Sequence, residues 1–176
     1  MPNILLIQNT YPDRSALRNV INYVLKSDIV EGYAVDPYDA FRQMTLIKSV
    51  FHKQDGEQLI HFVITFSNLE MYRLTLDEVL ALGFQVGNLF QEYQMLYGIH
   101  TETTHVHLHI IMNPVSFIDG HRYSNGLAGF WRLKKMLKQQ FPRSEVGIYY
   151  SFPNSDCNRY THTKEDELLR IGQVSN

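Results

Sequence analysis

A single cysteine, Cys157, stands in a chain of 176 residues. That excludes an internal disulfide and any zinc site built on a pair of thiolates, and it fits a reducing, cytoplasmic location. No apolar run approaches the ~18 residues that a membrane-crossing helix needs, so the expected state is soluble with no membrane partner. The apolar start Met1-Pro2-Asn3-Ile4-Leu5-Leu6-Ile7 has no basic residues ahead of it and turns polar at Gln8-Asn9-Thr10, so it reads as a strand and not as a signal peptide. A surplus of positive charge is missing too. Sixteen Lys and Arg against 18 Asp and Glu leave a net charge of −2 at pH 7, whereas proteins that grip nucleic acid through its phosphates usually carry a basic excess. The distribution is uneven, however: Arg132, Lys134, Lys135, Lys138 and Arg143 follow one another with no acidic residue between them. Such a stretch serves either as a solvated helix face or as a contact for nucleic-acid phosphates.

What is present is an ordinary globular composition, 44% hydrophobic and 19% charged, enough to fill the core of one domain over residues 1–176. Repeats, low-complexity tracts and linkers are absent from the sequence. Residues 3–8 predict a buried strand. Asp13 is placed to cap a helix that carries Leu17, Val20, Ile21 and Val24 at helical spacing and runs to about Lys26. Asp36-Pro37 opens a second helix to about Phe51. Glu57 to Phe66 predicts a strand, and Thr75-Leu76-Asp77-Glu78 is a capping box that starts a long helix reaching about Leu96. Asp119-Gly120 signals a hairpin turn. A helix over 127–140 ends before Pro142, a strand follows over 146–152, and a short helix closes the chain over 164–171. Interspersed strands and helices with a hairpin predict an α+β fold, a mainly antiparallel central sheet covered by helices.

The chemistry is concentrated in His100-Thr101-Glu102-Thr103-Thr104-His105-Val106-His107-Leu108-His109, which leads through Ile110-Ile111-Met112 to Asn113. In a strand over 105–113, side chains alternate, so His105, His107 and His109 share one face while Val106, Leu108 and Ile110 turn to the core. Three imidazoles on one face would repel one another if protonated, and a bound divalent metal gives neutral rings a reason to converge. His107 and His109 are adjacent on that face and can share an ion, and His100 ahead of the strand can fold back as a third ligand. His105, at the strand's entrance, is open between ligand, phosphate contact and a group that orients a ligand. Glu102 can orient a ring or accept a proton. His61 and Asn113 are placed as further groups around the ligands, although His61 also suits a core strand. Imidazole softness favours Mn²⁺, Zn²⁺, Co²⁺ or Ni²⁺, while Mg²⁺ is the more abundant ion in cells.

His107-Leu108-His109 is a histidine–hydrophobic–histidine pair. Set inside the longer run and continued by Asn113-Pro114-Val115-Ser116-Phe117-Ile118-Asp119-Gly120-His121, it resembles the signature of conjugative relaxases, the mobilisation nucleases of the HUH endonuclease superfamily. The flanking order agrees: a helix carrying Tyr, a strand His61-Phe62-Val63-Ile64-Thr65-Phe66-Ser67, a long helix, then the histidine strand. The likeness spans roughly residues 4–140, with Glu102 standing where family members usually carry Asp. It implies a relaxase-like sheet, single-stranded DNA at a transfer origin as substrate, and accessory relaxosome proteins as partners. It also implies a divalent ion, Mn²⁺ or Mg²⁺ first, and a tyrosine nucleophile that forms a 5′-phosphotyrosine. Of the 11 tyrosines, Tyr23 matches the place of the family's N-terminal nucleophile, and it lies roughly 110° round its helix from the apolar stripe, off the core face. Tyr11 and Tyr33 are the reserves, with Glu102 beside Tyr23 as the second catalytic residue. Arg132, Lys134, Lys135 and Lys138 become the expected DNA contacts. Three other readings of the same residues stay open: a replication initiator of the same superfamily, a histidine-liganded metallohydrolase acting on a small substrate, and a DNA-binding accessory protein without turnover.

Overall fold

Five residues from Asn3 to Ile7 form the first strand, β1, and the sheet that grows around it holds the two faces on which everything else is arranged. The structure, a computed structural model, describes residues 2–67, 70, 74–101, 106–151 and 161–162. The further strands are β2 (Ile29–Tyr33), β3 (Ile60–Thr65), β4 (Met95–His100), β5 (His107–Met112), β6 (Gly147–Ser151) and β7 (Thr161–His162). They make one seven-stranded sheet in the order β2-β4-β5-β3-β1-β6-β7. Every pairing is antiparallel except β1 with β6, which is parallel. The fold is α+β, as the interspersed elements predict.

Four helices are described: α1 (Arg14–Val24), α2 (Ala40–Val50), α3 (Leu76–Leu89) and α4 (Ala128–Gln140). None is long and apolar enough to cross a membrane, among the described residues. Three of the starts have a local cause. The Asp13 carboxylate accepts from the Ala16 amide and caps α1. Asp36 accepts from the Tyr38 amide and opens a 3₁₀ turn over Pro37–Asp39 that leads into α2. Thr75 and Glu78 form the reciprocal capping box of α3.

Two cores lie on opposite faces of the sheet. On one face, α3 and α4 pack Val79, Leu82, Val86, Phe130, Leu133 and Leu137 onto Ile4, Phe62, Ile64, Leu108 and Ile110. On the other, α1 and α2 pack Leu17, Ile21, Val24, Ala40 and Met44 onto Leu96 and Ile111. Burying a large apolar side chain of this kind contributes roughly 1.5–3 kcal/mol, so the three inward residues of α1 are enough to hold that helix down. The histidines at 107 and 109 alternate with Leu108 and Ile110 and therefore share the α1/α2 face.

The structure corrects the chain's middle. The helix from Thr75 ends at Leu89 and not near Leu96, because the chain turns after Phe90 and residues 95–100 form β4, a central strand almost wholly buried. His100 therefore does not fold back from a loop: it is the last residue of β4, directly opposite His107. A strand at residues 29–33 was also not expected. The hairpin turn at Asp119-Gly120 is present, with Gly120 at φ 75° and an isolated antiparallel bridge between Val115 and Arg122. The expected helix over 164–171, Glu102 and His105 lie outside the described residues.

Candidate functional site

Register brings four histidines onto one face. Cross-strand partners are His100 with His107, Gly98 with His109, Val63 with His109, and His61 with Ile111. His109 is the hub, 8% exposed. Its ring centroid lies 4.7 Å from that of His100, 5.5 Å from His61 and 6.2 Å from His107, and its Nδ1 is 3.3 Å from His61 Nε2. His61 Nδ1 in turn lies 3.4 Å from the Tyr11 hydroxyl.

Helix α1 lays a phenol over this cluster. Tyr23 stacks on His100 with centroids 5.2 Å apart and 23° between planes, and meets His109 edge-on at 5.3 Å. Its ring is 47% exposed, so the hydroxyl's side of the site is open to a large ligand. The close approach has a cause in β4. Gly98 has no side chain, and a methyl group there would lie 2.9 Å from Val24 Cγ1 and 2.8 Å from Ser27 Cβ, so only glycine lets the end of α1 descend this far. Ser27, in the turn after α1, places its hydroxyl 2.9 Å from His100 Nε2. The next residue, Asp28, accepts from the Thr101 amide at 2.9 Å and its hydroxyl at 2.6 Å. Those bonds hold the Asp28 carboxyl below the usual range, with the charge of nearby His100 adding to the effect.

Burial governs the protonation of the inner rings. Desolvation pushes His109 down to about 3, with His61, His100 and His107 beside it adding repulsion, and desolvation alone pushes His61 down to about 4. Both are neutral at physiological pH. A neutral imidazole keeps the lone pair that a metal ligand must supply, so the donor chemistry at this face fits a divalent ion. The geometry is less complete. Among the described residues, no three histidine, cysteine, aspartate or glutamate side chains stand arranged to hold an ion together. One nitrogen in each of two rings is engaged within the protein, His100 Nε2 by Ser27 and His109 Nδ1 by His61. The expected three-histidine set of His100, His107 and His109 shares one face without closing.

The other expected residues are dispersed. Asn113 is fully buried and its amide is used within the fold: Nδ2 donates to Met44 O and Gln94 Oε1, and Oδ1 accepts from the Val115 amide. Tyr33 turns to the α3 side, against Phe84 and Gly87. Tyr11 belongs to the histidine cluster but is 5% exposed. Arg132, Lys134, Lys135 and Lys138 ride on α4, whose apolar side packs on the face of the sheet opposite the histidines. Sequence reasoning missed Ser27 and Gly98, while His61, expected as a group around the ligands or as a core strand residue, lies against His109; contact among these groups depends on register.

Comparison with known proteins gives the family. The family model described as "Relaxase: MobA/VirD2-like, nuclease domain" matches residues 22–141, well over half of the chain. The chain belongs to this relaxase family. The match begins one residue before Tyr23 and contains the whole histidine strand. No curated protein and no solved structure matches the chain. Membership assigns a relaxase-type nuclease role, with single-stranded DNA at an origin of transfer as the family's substrate. The family is generally metal-dependent.

Proposed function

We propose that residues 1–176 form one relaxase-like domain that nicks and rejoins single-stranded DNA at a specific site, with Tyr23 as nucleophile. The observation that carries this reading is the half-exposed Tyr23 ring lying on His100 and His109, 5.2 and 5.3 Å between centroids. The Tyr23 hydroxyl oxygen attacks a backbone phosphorus, the bond from phosphorus to the 3′ oxygen breaks, and the 3′ hydroxyl leaves with a proton. The 5′ phosphate stays on the phenol as a phosphotyrosine, and reversal of the same step rejoins the strand. A phenol with a pKa of about 10 must be relieved of its proton at neutral pH. Glu102 is the carboxylate that the sequence offers for that task, since His100 stacks on the ring with its Nε2 engaged by Ser27. His109 and His61, held neutral by burial, keep that face free of competing positive charge. His100, His107 and His109 would hold a divalent ion, Mn²⁺ or Mg²⁺ first and Zn²⁺, Co²⁺ or Ni²⁺ otherwise, which when bound supplies polarisation of a non-bridging phosphate oxygen.

Incubation with single-stranded origin DNA and a divalent ion should yield a covalent adduct that survives denaturation. Tyr23→Phe removes only the attacking oxygen, so it should abolish the adduct while DNA binding persists. An unchanged adduct yield from Tyr23→Phe would move the role to another tyrosine. No adduct from the wild-type chain across a range of origin sequences would refute turnover.

A further inference from the structure

Away from the histidines, on the inner side of α2, the ammonium of Lys48 is the one buried side-chain polar atom without a hydrogen-bond partner among the described residues. The residue is 1% exposed. Lysine normally buries its stem and keeps its head in water, and an unpaired buried charge is costly enough that such groups are nearly always matched by a partner. The two charges that act on Lys48 are both positive, Arg122 and Arg14. Beside it lies a small cleft of about 20 Å³, open to solvent on one side and lined by Arg14, Thr45, Lys48, Ser49, Gln54 and Gln58. Two cations, two hydroxyls and two amides line it, with no carboxylate.

The walls are fixed by the chain's own bonds. Arg122 donates to the carbonyls of Lys53, Asp55 and Glu57, and Gln58 Nε2 donates to those of Gln54 and Gly56, each at 2.7 Å. Arg14 is steadied by the Phe41 ring, 5.6 Å from its centroid. The cleft is therefore held in shape and electropositive, with the Gln58 amide and the Thr45 hydroxyl already donating within the fold. Its cations are left to meet a ligand, and the deepest of them lacks a counter-ion. Burial and the two guanidinium groups hold Lys48 down to about 7, so an arriving anion readily recruits the protonated form.

We propose that the Arg14–Lys48 cleft is a phosphate-binding site that takes a backbone phosphate of the single-stranded DNA, a few nucleotides from the one attacked by Tyr23. The inference rests on the nuclease reading above for the identity of the ligand, though not for the existence of the site. Its placement suits the task. Arg14 and Tyr23 lie on the same helix, nine residues apart, which at 1.5 Å per residue is ~13.5 Å along the axis. The two side chains are about half a turn apart round it, so that ~13.5 Å is the least separation a strand must cover. That span corresponds to about four nucleotides of stacked strand at ~3.4 Å each, and fewer if the strand is extended. A phosphate held here would fix the strand's register over the nucleophile without reading its sequence.

The test uses the full chain and two ligands. Inorganic phosphate, titrated at constant ionic strength, should raise the wild-type Tm saturably by a few degrees. Lys48→Met should start at an equal or higher Tm and lose that rise, and Arg14→Gln, an exposed change that spares the core, should weaken it. In a Tyr23→Phe background, anisotropy with a labelled single-stranded oligonucleotide should show Lys48→Met binding roughly 10-fold more weakly, with the slope of log affinity against log salt reduced by about 0.7. No saturable rise in the wild type, or an equal rise in all three proteins, would overturn the site. A rise lost in both variants with DNA affinity and salt slope unchanged would overturn the DNA phosphate as its ligand and assign a free anion. The phosphate titration needs no nicking, so a missing covalent adduct would sink the nuclease reading and leave this result standing.

Discussion

The dependence of the site on one missing side chain makes Gly98→Ala the most informative substitution. Gly98 lies opposite His109 and under the end of α1. A methyl group there collides with the Ser27 hydroxyl and stands 2.8 Å from Ser27 Cβ and 2.9 Å from Val24 Cγ1. Comfortable contact between carbons is ~3.5–4.0 Å, so the end of α1 must lift by about 1 Å. Overpacking of this kind costs ~1–3 kcal/mol, a fall in Tm of roughly 2–12 °C for a chain of this size. The lift carries Tyr23 away from His100 and lengthens the Ser27–His100 hydrogen bond. A misplacement of about 1 Å can slow chemistry by ~100-fold. Single-turnover adduct formation at saturating oligonucleotide should therefore slow roughly 10- to 100-fold, while anisotropy shows little change in DNA affinity. Gly83→Ala is the control, since it crowds Tyr97 on the other face, 2.5 and 2.6 Å from two ring atoms. It should lower Tm and spare the rate. Adduct formation at the wild-type rate in a destabilised Gly98→Ala protein would refute the argument that the contact between Tyr23 and His100 is the working geometry.

Four further outcomes follow from the same structure. His107→Ala should abolish both divalent-ion binding, read by titration calorimetry, and adduct formation. Lys48 titrates lower in the folded chain, about 7, than its ordinary 10.5, so the unfolded chain binds the extra proton between those values. Its contribution to stability is fully present above pH ~10.5 and is lost as pH falls to ~7, and in phosphate-free buffer the wild type should gain stability relative to Lys48→Met as pH rises across that window. Thr75→Ala breaks the capping box of α3 and should cost ~0.5–2 kcal/mol in chemical denaturation, with no change in adduct rate because α3 lies across the sheet from Tyr23. Replacing Lys134, Lys135 and Lys138 by alanine, on the same far side, should leave the single-turnover rate at saturating DNA unchanged; a 10-fold loss would mean that the strand wraps around the sheet.

Local signals in the sequence were legible where they had a local cause. Asp13, Asp36 and the Thr75/Glu78 pair start helices through bonds to amides two or three residues away, so spacing alone reveals them. The alternation from His107 to Ile110 placed the imidazoles on one face because one side of β5 meets an apolar core. Strand β4 carries no such signal. Met95 to Ile99 is buried on both faces, and a strand of that kind reads as an unbroken apolar run, easily taken as the tail of the preceding amphipathic helix. Strand β2, at the sheet's edge, is five residues long with Gly32 inside it, too short and irregular to show a period. The basic run on α4 was legible as a helix, but which face of the sheet that helix covers depends on the chain's topology.

The site itself belongs to the non-local kind. His100 was recognisable as a third imidazole, yet its place follows from β4 running antiparallel to β5. Its direct partner is His107, but the ring that it approaches most closely is His109, on the diagonal. The residue directly opposite His109 is Gly98. A side chain at that position would occupy the space into which the end of α1 descends with Tyr23. One glycine thus accounts for the arrival of the phenol over the imidazoles. Nothing in its immediate neighbours, Tyr97 and Ile99, distinguishes it from a glycine in any other strand; its meaning appears only when the register sets it against His109.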